Sequence, residues 1–406
     1  MDFQLLSNPL FIQLLLGLLG IILAEIVRDV YHLAGHYWQP LQRSHFLHHK
    51  AYRRDLTMTS LEAYKKAQWH NDVPEALVMV STTALTAGLS QNLGLWLGCL
   101  YALAFLIPAV ARSQGLLLQT DLTHQPGDLV EIPTQWKVNR TYHWRHHFDQ
   151  GNAYFCGSFT LVDKMLGTAL SLKDKVVAIT GASGTLGQSL IEELTGQGAK
   201  VVALTTTPEA EFKPGVTVWH WQLGAEVDLA TRLQGVDILI INHGVNVYGD
   251  RSPAAIQKSY EVNMVSAWKL AELFLATVTE SSHKALKELW INTSEAEVNP
   301  AFSPLYELSK RALGDLITLR RLDAPCIIRK LVLGPFKSQL NPYGVMSGRW
   351  VAWAIVALAK RDVRNIIVTI NPITYLVFPI KEFCQSLYFR WFTTRRAGNQ
   401  VSSSQH

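Results

Sequence analysis

Apolar and polar positions divide this chain into two regimes. From Pro9 to Val27 the sequence is an almost unbroken apolar run whose strongly polar members are Gln13 and Glu25. Such a run can cross a hydrocarbon core of about 30 Å. A cleaved signal peptide is the competing reading, but no Lys or Arg precedes the run and no clear small-residue cleavage site follows it. A second apolar block covers Val73 to Ala111, broken by Ser90-Gln91-Asn92. At ~1.5 Å per residue it measures ~58 Å, too long for one crossing and suited to two. A helical hairpin turning near Ser90–Leu93 is therefore predicted, with Pro108 placed to kink its second arm. After Gly167 the rhythm changes. Short Val/Ile-rich runs at Val176–Thr180, Val201–Thr205, Val236–Ile241, Glu288–Asn292 and Cys326–Val332 alternate with longer helical patterns. That alternation predicts βαβ units around a buried parallel sheet, with the boundary near Ser171. The stretch Ile373–Phe392 is aromatic and apolar yet holds Lys381, Glu382 and Arg390. A charge inside a span costs about 2.5–3.5 kcal/mol. An interfacial amphipathic helix is expected there, with an ordinary helix covering the sheet as the alternative. The polar tail after Ala397 reads as disordered.

Composition adds exclusions. Hydrophobic residues make up 48% and charged residues 17%, below the usual charged fraction of about 25%, so a disordered chain and a coiled coil are both excluded. Four cysteines stand far apart with no C-x-x-C pair, against a disulfide framework, an iron–sulfur cluster or a thiolate zinc site. The net charge of +5 acquires meaning from its placement. Residues 28–70 carry Arg28, Arg43, Lys50, Arg53, Arg54, Lys65 and Lys66, and residues 112–147 carry Arg112, Lys137, Arg140 and Arg145. The start of the chain and the hairpin turn carry no Lys or Arg. The positive-inside rule then places both basic segments on the cytoplasmic side. The basic charge has a membrane explanation, and no nucleic-acid partner is expected.

Ten of the 14 histidines precede residue 148. They form three clusters: His32-x-x-x-His36, His45-x-x-His48-His49 and His143-x-x-His146-His147. Offsets of three and four bring side chains to one helix face, so each cluster can aim two or three imidazoles at a common point. Imidazole suits iron, zinc and copper. All three clusters fall in segments assigned to one side of the membrane, and His70 and His124 lie in the same segments. In this the chain resembles the membrane-bound fatty-acid hydroxylase/sterol desaturase superfamily over roughly residues 15–170. The likeness extends to Tyr142-His143-Trp144-Arg145-His146-His147, Asn152 and Val162-Asp163-Lys164-Met165-Leu166-Gly167-Thr168. It implies two metal ions, taken to be iron with zinc as the other possibility, held by His32, His36, His45, His48, His49, His143, His146 and His147. His124 would be a ninth ligand and His70 the weakest candidate. It also implies oxidation of an unactivated C–H bond of an acyl chain or sterol by O₂, with electrons from a separate donor of cytochrome b5 or ferredoxin type.

The second half carries a different chemistry. The predicted strand Val176–Ile179 runs into Thr180-Gly181-Ala182-Ser183-Gly184-Thr185-Leu186-Gly187 and then the helix Gln188–Leu194. Glycines there permit a tight turn and let backbone approach a pyrophosphate at a helix N-terminus. Tyr306-x-x-x-Lys310 sets a phenol and an ammonium one helical turn apart, so the charge can lower the phenol pKa and make it a usable acid/base. Ser294 follows the strand Leu289–Ile291, positioned to hydrogen-bond a substrate oxygen. With Asn242-His243-Gly244 and Asn263, these residues resemble the short-chain dehydrogenase/reductase superfamily over about residues 173–340. The resemblance implies hydride transfer between a nicotinamide cofactor and an alcohol or carbonyl. Tyr306 would be the acid/base, with Lys310 holding the ribose, Ser294 orienting the oxygen and Asn263 supporting a proton relay. Gly181, Ser183, Gly184, Leu186, Gly187, Thr205, Asn242 and Gly244 would line the cofactor. The second strand ends Ala203-Leu204-Thr205-Thr206 with no acid for a ribose 2′-hydroxyl, which leans toward NADP(H), although no convincing arginine for the 2′-phosphate follows. The third strand shows Gln222 where an Asp often contacts adenine.

The sequence therefore predicts an all-α integral membrane half (residues 1–170), a doubly wound α/β Rossmann half on the cytoplasmic side (171–370) and an amphipathic segment with a tail (371–406). The expected function is a bifunctional lipid oxidoreductase in which the two halves act on the same lipid. Wax-type aldehyde or alkane chemistry, a single active half, and a non-catalytic scaffold binding metal and NADP are the alternatives.

Overall fold

Asn8 opens the first helix, its side chain accepting from Leu10 N at 2.9 Å with Pro9 at the first helical position. A computed structural model describes residues 8–394; the tail after Ala397 lies outside them. Helix α1 is Pro9–Tyr37, followed by α2 Gln39–Lys50 and α3 Leu61–Ala67. A π-helical turn, Gln68–Asp72, leads without a break into α4, Val73–Ser90. After Gln91, in the left-handed conformation, come α5 Trp96–Gln114, α6 Arg140–Phe148 and α7 Leu161–Leu166. Three helical stretches are long and apolar enough to cross a membrane: Pro9–Tyr37, Leu61–Ser90 and Leu93–Gln114.

The first helix is longer than its apolar run. Beyond Val27 it carries Arg28, Asp29, His32 and His36, which with Glu25 form one stripe at three- and four-residue spacing, all buried. Arg28, expected in a basic loop, is instead inside this helix and paired with Glu25 at 2.6 Å. Tyr101 of α5 donates to Glu25 at 2.5 Å. These polar groups are met by protein partners, as a helix able to span a membrane requires, since lipid would offer them none. The second stretch likewise starts earlier than the predicted Val73, because the π turn continues α3 into α4.

The second unit is built on strands β1 Val176–Thr180, β2 Lys200–Thr205, β3 Thr217–His220, β4 Ile238–Ile241, β5 Glu288–Asn292, β6 Ile327–Leu333 and β7 Asn365–Val368. They form one sheet in the order β3-β2-β1-β4-β5-β6-β7, parallel throughout. Helices α8 Thr185–Gly196, α9 Ala230–Leu233, α10 Pro253–Tyr260, α11 Ala267–Leu275, α12 His283–Leu286, α13 Pro304–Arg320, α14 Gly348–Ala359 and α15 Pro372–Phe392 connect and follow the strands, with a second π turn, Glu261–Ser266, joining α10 to α11. β4 and β6 are buried at every residue; β4 accordingly reads as a continuous apolar run, while β6 carries Arg329 and Lys330 inside, paired with Glu288, Glu297 and Glu382. The strand order reverses between β1 and β4. Ligands of doubly wound sheets bind at such a switch point, beyond the carboxyl ends of the strands.

The chain divides by internal contacts into Met1–Lys173 with Val278–Lys287 and Ala357–Val363, and Asp174–Thr277 with Glu288–Val356 and Arg364–His406. The two short segments join the first unit for visible reasons. Ala285 packs with Leu56, Leu129 and Trp144, Arg145 Nε donates to Ala285 O at 2.6 Å, and Gln135 donates to Asp362 O at 2.9 Å.

Candidate functional site

Nine imidazoles converge in the first unit. His32 and His36 come from α1, His45, His48 and His49 from α2, His124 from the 3₁₀ turn Leu122–His124, and His143, His146 and His147 from α6. They fall into two groups, His32-His36-His45-His49-His146 and His48-His124-His143-His147, in each of which the ligand atoms lie within 4.8 Å of one another. The Nε2 atoms face inward: His32 to His146 at 2.8 Å, His45 to His36 at 2.7 Å, His49 to His45 at 2.9 Å, His143 to His124 at 3.0 Å and His147 to His143 at 3.1 Å. Gly35 makes the α1–α2 approach possible, since a Cβ there would meet the His45 ring at 2.9 Å.

Four of the outward nitrogens lie against groups the sequence reading did not single out. His124 Nδ1 lies 2.9 Å from Asp121, His48 Nδ1 3.2 Å from Asp72, His45 Nδ1 3.2 Å from Asn71 Oδ1, and His146 Nδ1 2.8 Å from Ala153 O. Carboxylates and carbonyls behind ligating imidazoles fix the tautomer that turns the Nε2 lone pair inward. Burial pushes His45 down to about 3 and holds His143, His146 and His147 well below the ordinary imidazole range. Burial also opposes a charge on His48, but the Asp72 carboxylate outweighs it and raises that pKa. A buried set of inward lone pairs has too few protons to satisfy itself. Inward imidazoles in two groups of five and four therefore fit two metal ions. His70 is the exception among the ten candidates. It is exposed, and neither group contains it, while Asn71 and Asp72 of the same π turn point toward the centre.

The second site lies in the second unit, at the ends of β1, β4 and β5. Gly181 takes φ +64°, and a Cβ there would meet the His243 backbone at 2.9 Å. Leu186 and Gly187 are buried in the first turns of α8 while Ser183 is exposed in the loop before it. No side chain caps the start of α8, where Gly184 is the cap residue. Its first amides are thus left for an anion, as a dinucleotide pyrophosphate requires. Thr205 is buried and bonds Ser183 Oγ at 3.3 Å. Thr180 Oγ1 accepts from Asn242 N at 2.9 Å and lies 2.8 Å from His243 Nδ1, tying the β1 and β4 ends together. Burial pushes His243 down to about 4. A cavity of about 430 Å³ opens beyond β2 and β3, lined by Thr206, Trp221, Gln222 and Arg232 among others. Arg232 thus stands beside the end of β2, from a separate element.

The acid/base set assembles on α13 and its neighbours. Ser294 Oγ caps the turn after β5, accepting from Ala296 N at 3.2 Å, and its hydroxyl acts on the Tyr306 phenol from there. Lys310 Nζ donates to Asn292 O at 2.9 Å and lies 6.0 Å from the centre of the Tyr306 ring. Asn263, in the π turn, is fully buried. It holds Val245 through both backbone groups, at 2.8 and 3.0 Å, and donates to Ser309 at 3.0 Å. Its Oδ1 sits 3.1 Å from where a Gly244 Cβ would be. The expected depression of the Tyr306 pKa by Lys310 is not what the geometry gives. Burial raises the phenol above its ordinary value, with the Ser294 hydroxyl opposing. Burial also pushes Lys310 down to about 8, with Glu297 acting the other way.

A parallel sheet in this order, a glycine turn before an uncapped helix and the grouped Ser294, Tyr306, Lys310 and Asn263 are the Rossmann arrangement that the resemblance to short-chain dehydrogenase/reductases implies. Here it is joined to a histidine-rich helical unit. The chain is 56% identical to the monoglucosyldiacylglycerol epimerase of Synechocystis sp. over 399 residues, 94% of this chain and 97% of that protein, and it belongs to that protein's family. It is 26% identical over 275 residues to the ketoacyl reductase HetN of Nostoc sp., covering 57% of this chain and 95% of the relative. A crystal structure of a short chain dehydrogenase from Burkholderia cenocepacia in complex with NADP is similar at TM-score 0.46 and 18% identity, covering 55% of this chain and all of that one. No family model matches the chain, so the likeness of its histidine half to membrane hydroxylases rests on its own residues.

Proposed function

We propose that this chain is a membrane-bound, nicotinamide-dependent epimerase of a glucosyl diacylglycerol that inverts one secondary carbinol centre of the sugar. The supporting observation is the identity to the Synechocystis epimerase along nearly the whole chain. NADP(H) is the expected cofactor, because the end of β2 offers Thr205 and Thr206 and no acid. Bound at the uncapped start of α8, it would supply a hydride acceptor and donor. The chain's own residues manage the proton and the oxygen. Tyr306 takes the hydroxyl proton as the carbinol becomes a carbonyl and returns it when the carbon closes with the opposite configuration. Ser294 holds the same oxygen through both half-steps. Asn263 keeps the Val245 backbone in place beside Gly244, and Lys310 bridges the β5 end to the tyrosine helix. One half-step reverses the other, so no net oxidant is consumed.

The test uses glucosyl lipid deuterated at the ring carbons, incubated with the full chain in nanodiscs. The product is expected to keep its carbon-bound deuterium and to gain none from D₂O, while Tyr306→Phe lowers kcat by about 10²–10⁴-fold. Washout of the label to solvent would mean deprotonation next to a carbonyl and would overturn the reading.

The nine-histidine centre favours a second activity beside the first. Two irons held there would supply O₂ activation against a C–H bond of the same or a neighbouring lipid. The electrons would come from a separate cytochrome b5- or ferredoxin-type donor. The residues' part is to hold the metals with inward imidazoles and fix their orientation through Asp121, Asp72 and Asn71. On this reading the histidines and the Rossmann half both face the cytoplasm. About two irons per chain, lost in His48→Ala, is the expected outcome. Zinc in their place would turn the centre toward a structural or hydrolytic role.

A further inference from the structure

Helix α15 is amphipathic the wrong way round for a helix in water. Its inward stripe is polar: Thr374, Lys381 and Glu382, with Phe378 between them. Each polar member is bound to the body of the second unit. Thr374 donates to Glu295 at 3.1 Å and accepts from Asn299 at 2.7 Å. Lys381 pairs with Glu297 at 2.7 Å and Asp315 at 2.8 Å. Glu382 pairs with the fully buried Lys330 at 2.8 Å and with Arg321 at 2.9 Å. The outward stripe is apolar, with Leu376 67% exposed, Ile380 56%, Phe383 64% and Trp391 74%. A surface helix in water shows the reverse pattern. Burial of so much exposed apolar area is the main driving force left unused on this face.

We infer that α15 lies in the plane of a lipid bilayer, its apolar face sunk to the boundary between headgroups and acyl chains. Three observations select lipid as the occupant. Tyr388, Trp391 and Phe392 gather at one end beside the exposed Arg390, with Arg395 and Arg396 next in sequence. Aromatic rings among cations suit the interface and its anionic headgroups. The same chain holds three stretches able to cross a membrane, so a bilayer is within reach. The flank beside α15 belongs in water, because the half-exposed Asp315 of α13 pairs there with Lys381. That flank rules out a fourth crossing and leaves the half-sunk orientation.

The placement serves the catalytic cleft. Glu295 and Glu297, which anchor α15, follow Ser294 directly, and the helix packs on α13, which carries Tyr306 and Lys310. A lipid whose tails remain among the exposed side chains of α15 would present its headgroup near Ser294. This use of the helix rests on the epimerase reading, whereas the bilayer contact does not.

Cys384 provides the probe, being exposed on α15 while Cys99, Cys156 and Cys326 are buried. The full chain is labelled there with an environment-sensitive fluorophore and reconstituted into phosphatidylcholine–phosphatidylglycerol nanodiscs. The label is expected to be quenched by lipid carrying a spin label near the carbonyl and shielded from aqueous iodide. Free access of iodide would place the helix in water and overturn the inference. Stronger quenching from the chain terminus would make it a span, and protection from both quenchers would mean a protein partner or second copy; either outcome overturns it. In a second arm, Leu376→Asp/Ile380→Asp is expected to open the label to iodide. It should also raise KM for bilayer-embedded glycolipid about tenfold with kcat unchanged. Correct quenching without the KM change would leave the bilayer contact standing and remove its link to the substrate.

Discussion

Asp163 holds the wall of the histidine centre and gives the sharpest test of how that centre is built. The carboxylate is fully buried and accepts four hydrogen bonds. Oδ1 takes Phe155 N at 2.9 Å and Thr168 Oγ1 at 2.6 Å; Oδ2 takes Tyr142 OH at 2.8 Å and Cys156 N at 2.9 Å. Tyr142 precedes His143 on α6, and the Phe155 ring packs on His36 and His146 at 5.3 and 5.9 Å between centres. Asp163→Asn keeps the shape and fails chemically. Whichever way the amide turns, its NH₂ faces one hydroxyl, which can rotate to accept, and one backbone N–H, which cannot. One stranded buried donor costs ~1–3 kcal/mol. The surviving bonds lose their charge assistance, so the total comes to ~2–4 kcal/mol. Histidines of α6 serve both groups, so both metals should leave together rather than one. The assay is metal content per chain by mass spectrometry, with thermal unfolding in detergent and Met165→Ala as an exposed control of near-zero effect. If Asp163→Asn kept full metal content and an unchanged melting temperature, the argument that this carboxylate positions α6 would be wrong.

Three further outcomes follow from the geometry. His124→Ala is expected to lose metal while His70→Ala keeps it, because neither group contains His70; equal loss would show that the centre recruits the π turn. Lys310 is pushed down to about 8, so it is charged below that pH and neutral above it. Dinucleotide affinity, measured by fluorescence titration, should fall as pH rises through about 8, and Lys310→Met should flatten the profile. Arg232 borders the cavity past β2, so Arg232→Ala should weaken NADP(H) relative to NAD(H) about tenfold, the worth of one charge-assisted bond; an unchanged ratio would remove Arg232 from 2′-phosphate recognition.

What the sequence shows and what it hides have physical causes. Interior strands such as β4 are legible because both faces are buried, and Ile238–Ile241 has no polar residue to interrupt it. β3 and β7 give no such run: Thr217–His220 sits at one sheet edge with most of its residues exposed, and Asn365–Val368, at the other edge, is buried only at alternate positions. The histidine clusters are legible because helical spacing alone brings i and i+4 together. His70 misleads for the same reason in reverse. Neighbouring helical positions differ by about 100°, so His70 can point to solvent while Asn71 and Asp72 face the centre. Asp121 was available as a partner, three residues before His124 and capping the same 3₁₀ turn. Arg232 was not, because only the fold brings its helix to the end of β2. The harder case is α15. An amphipathic pattern was visible in Ile373–Phe392, but sequence alone assigns the polar stripe to water by default. The assignment reverses only once Lys330 of β6, Glu297 beside Ser294 and Arg321 after α13 are seen to claim Lys381 and Glu382. Those partners come from three separate elements. Which face of an amphipathic helix meets water is thus decided by the fold it packs on, and here that fold leaves the apolar face outward.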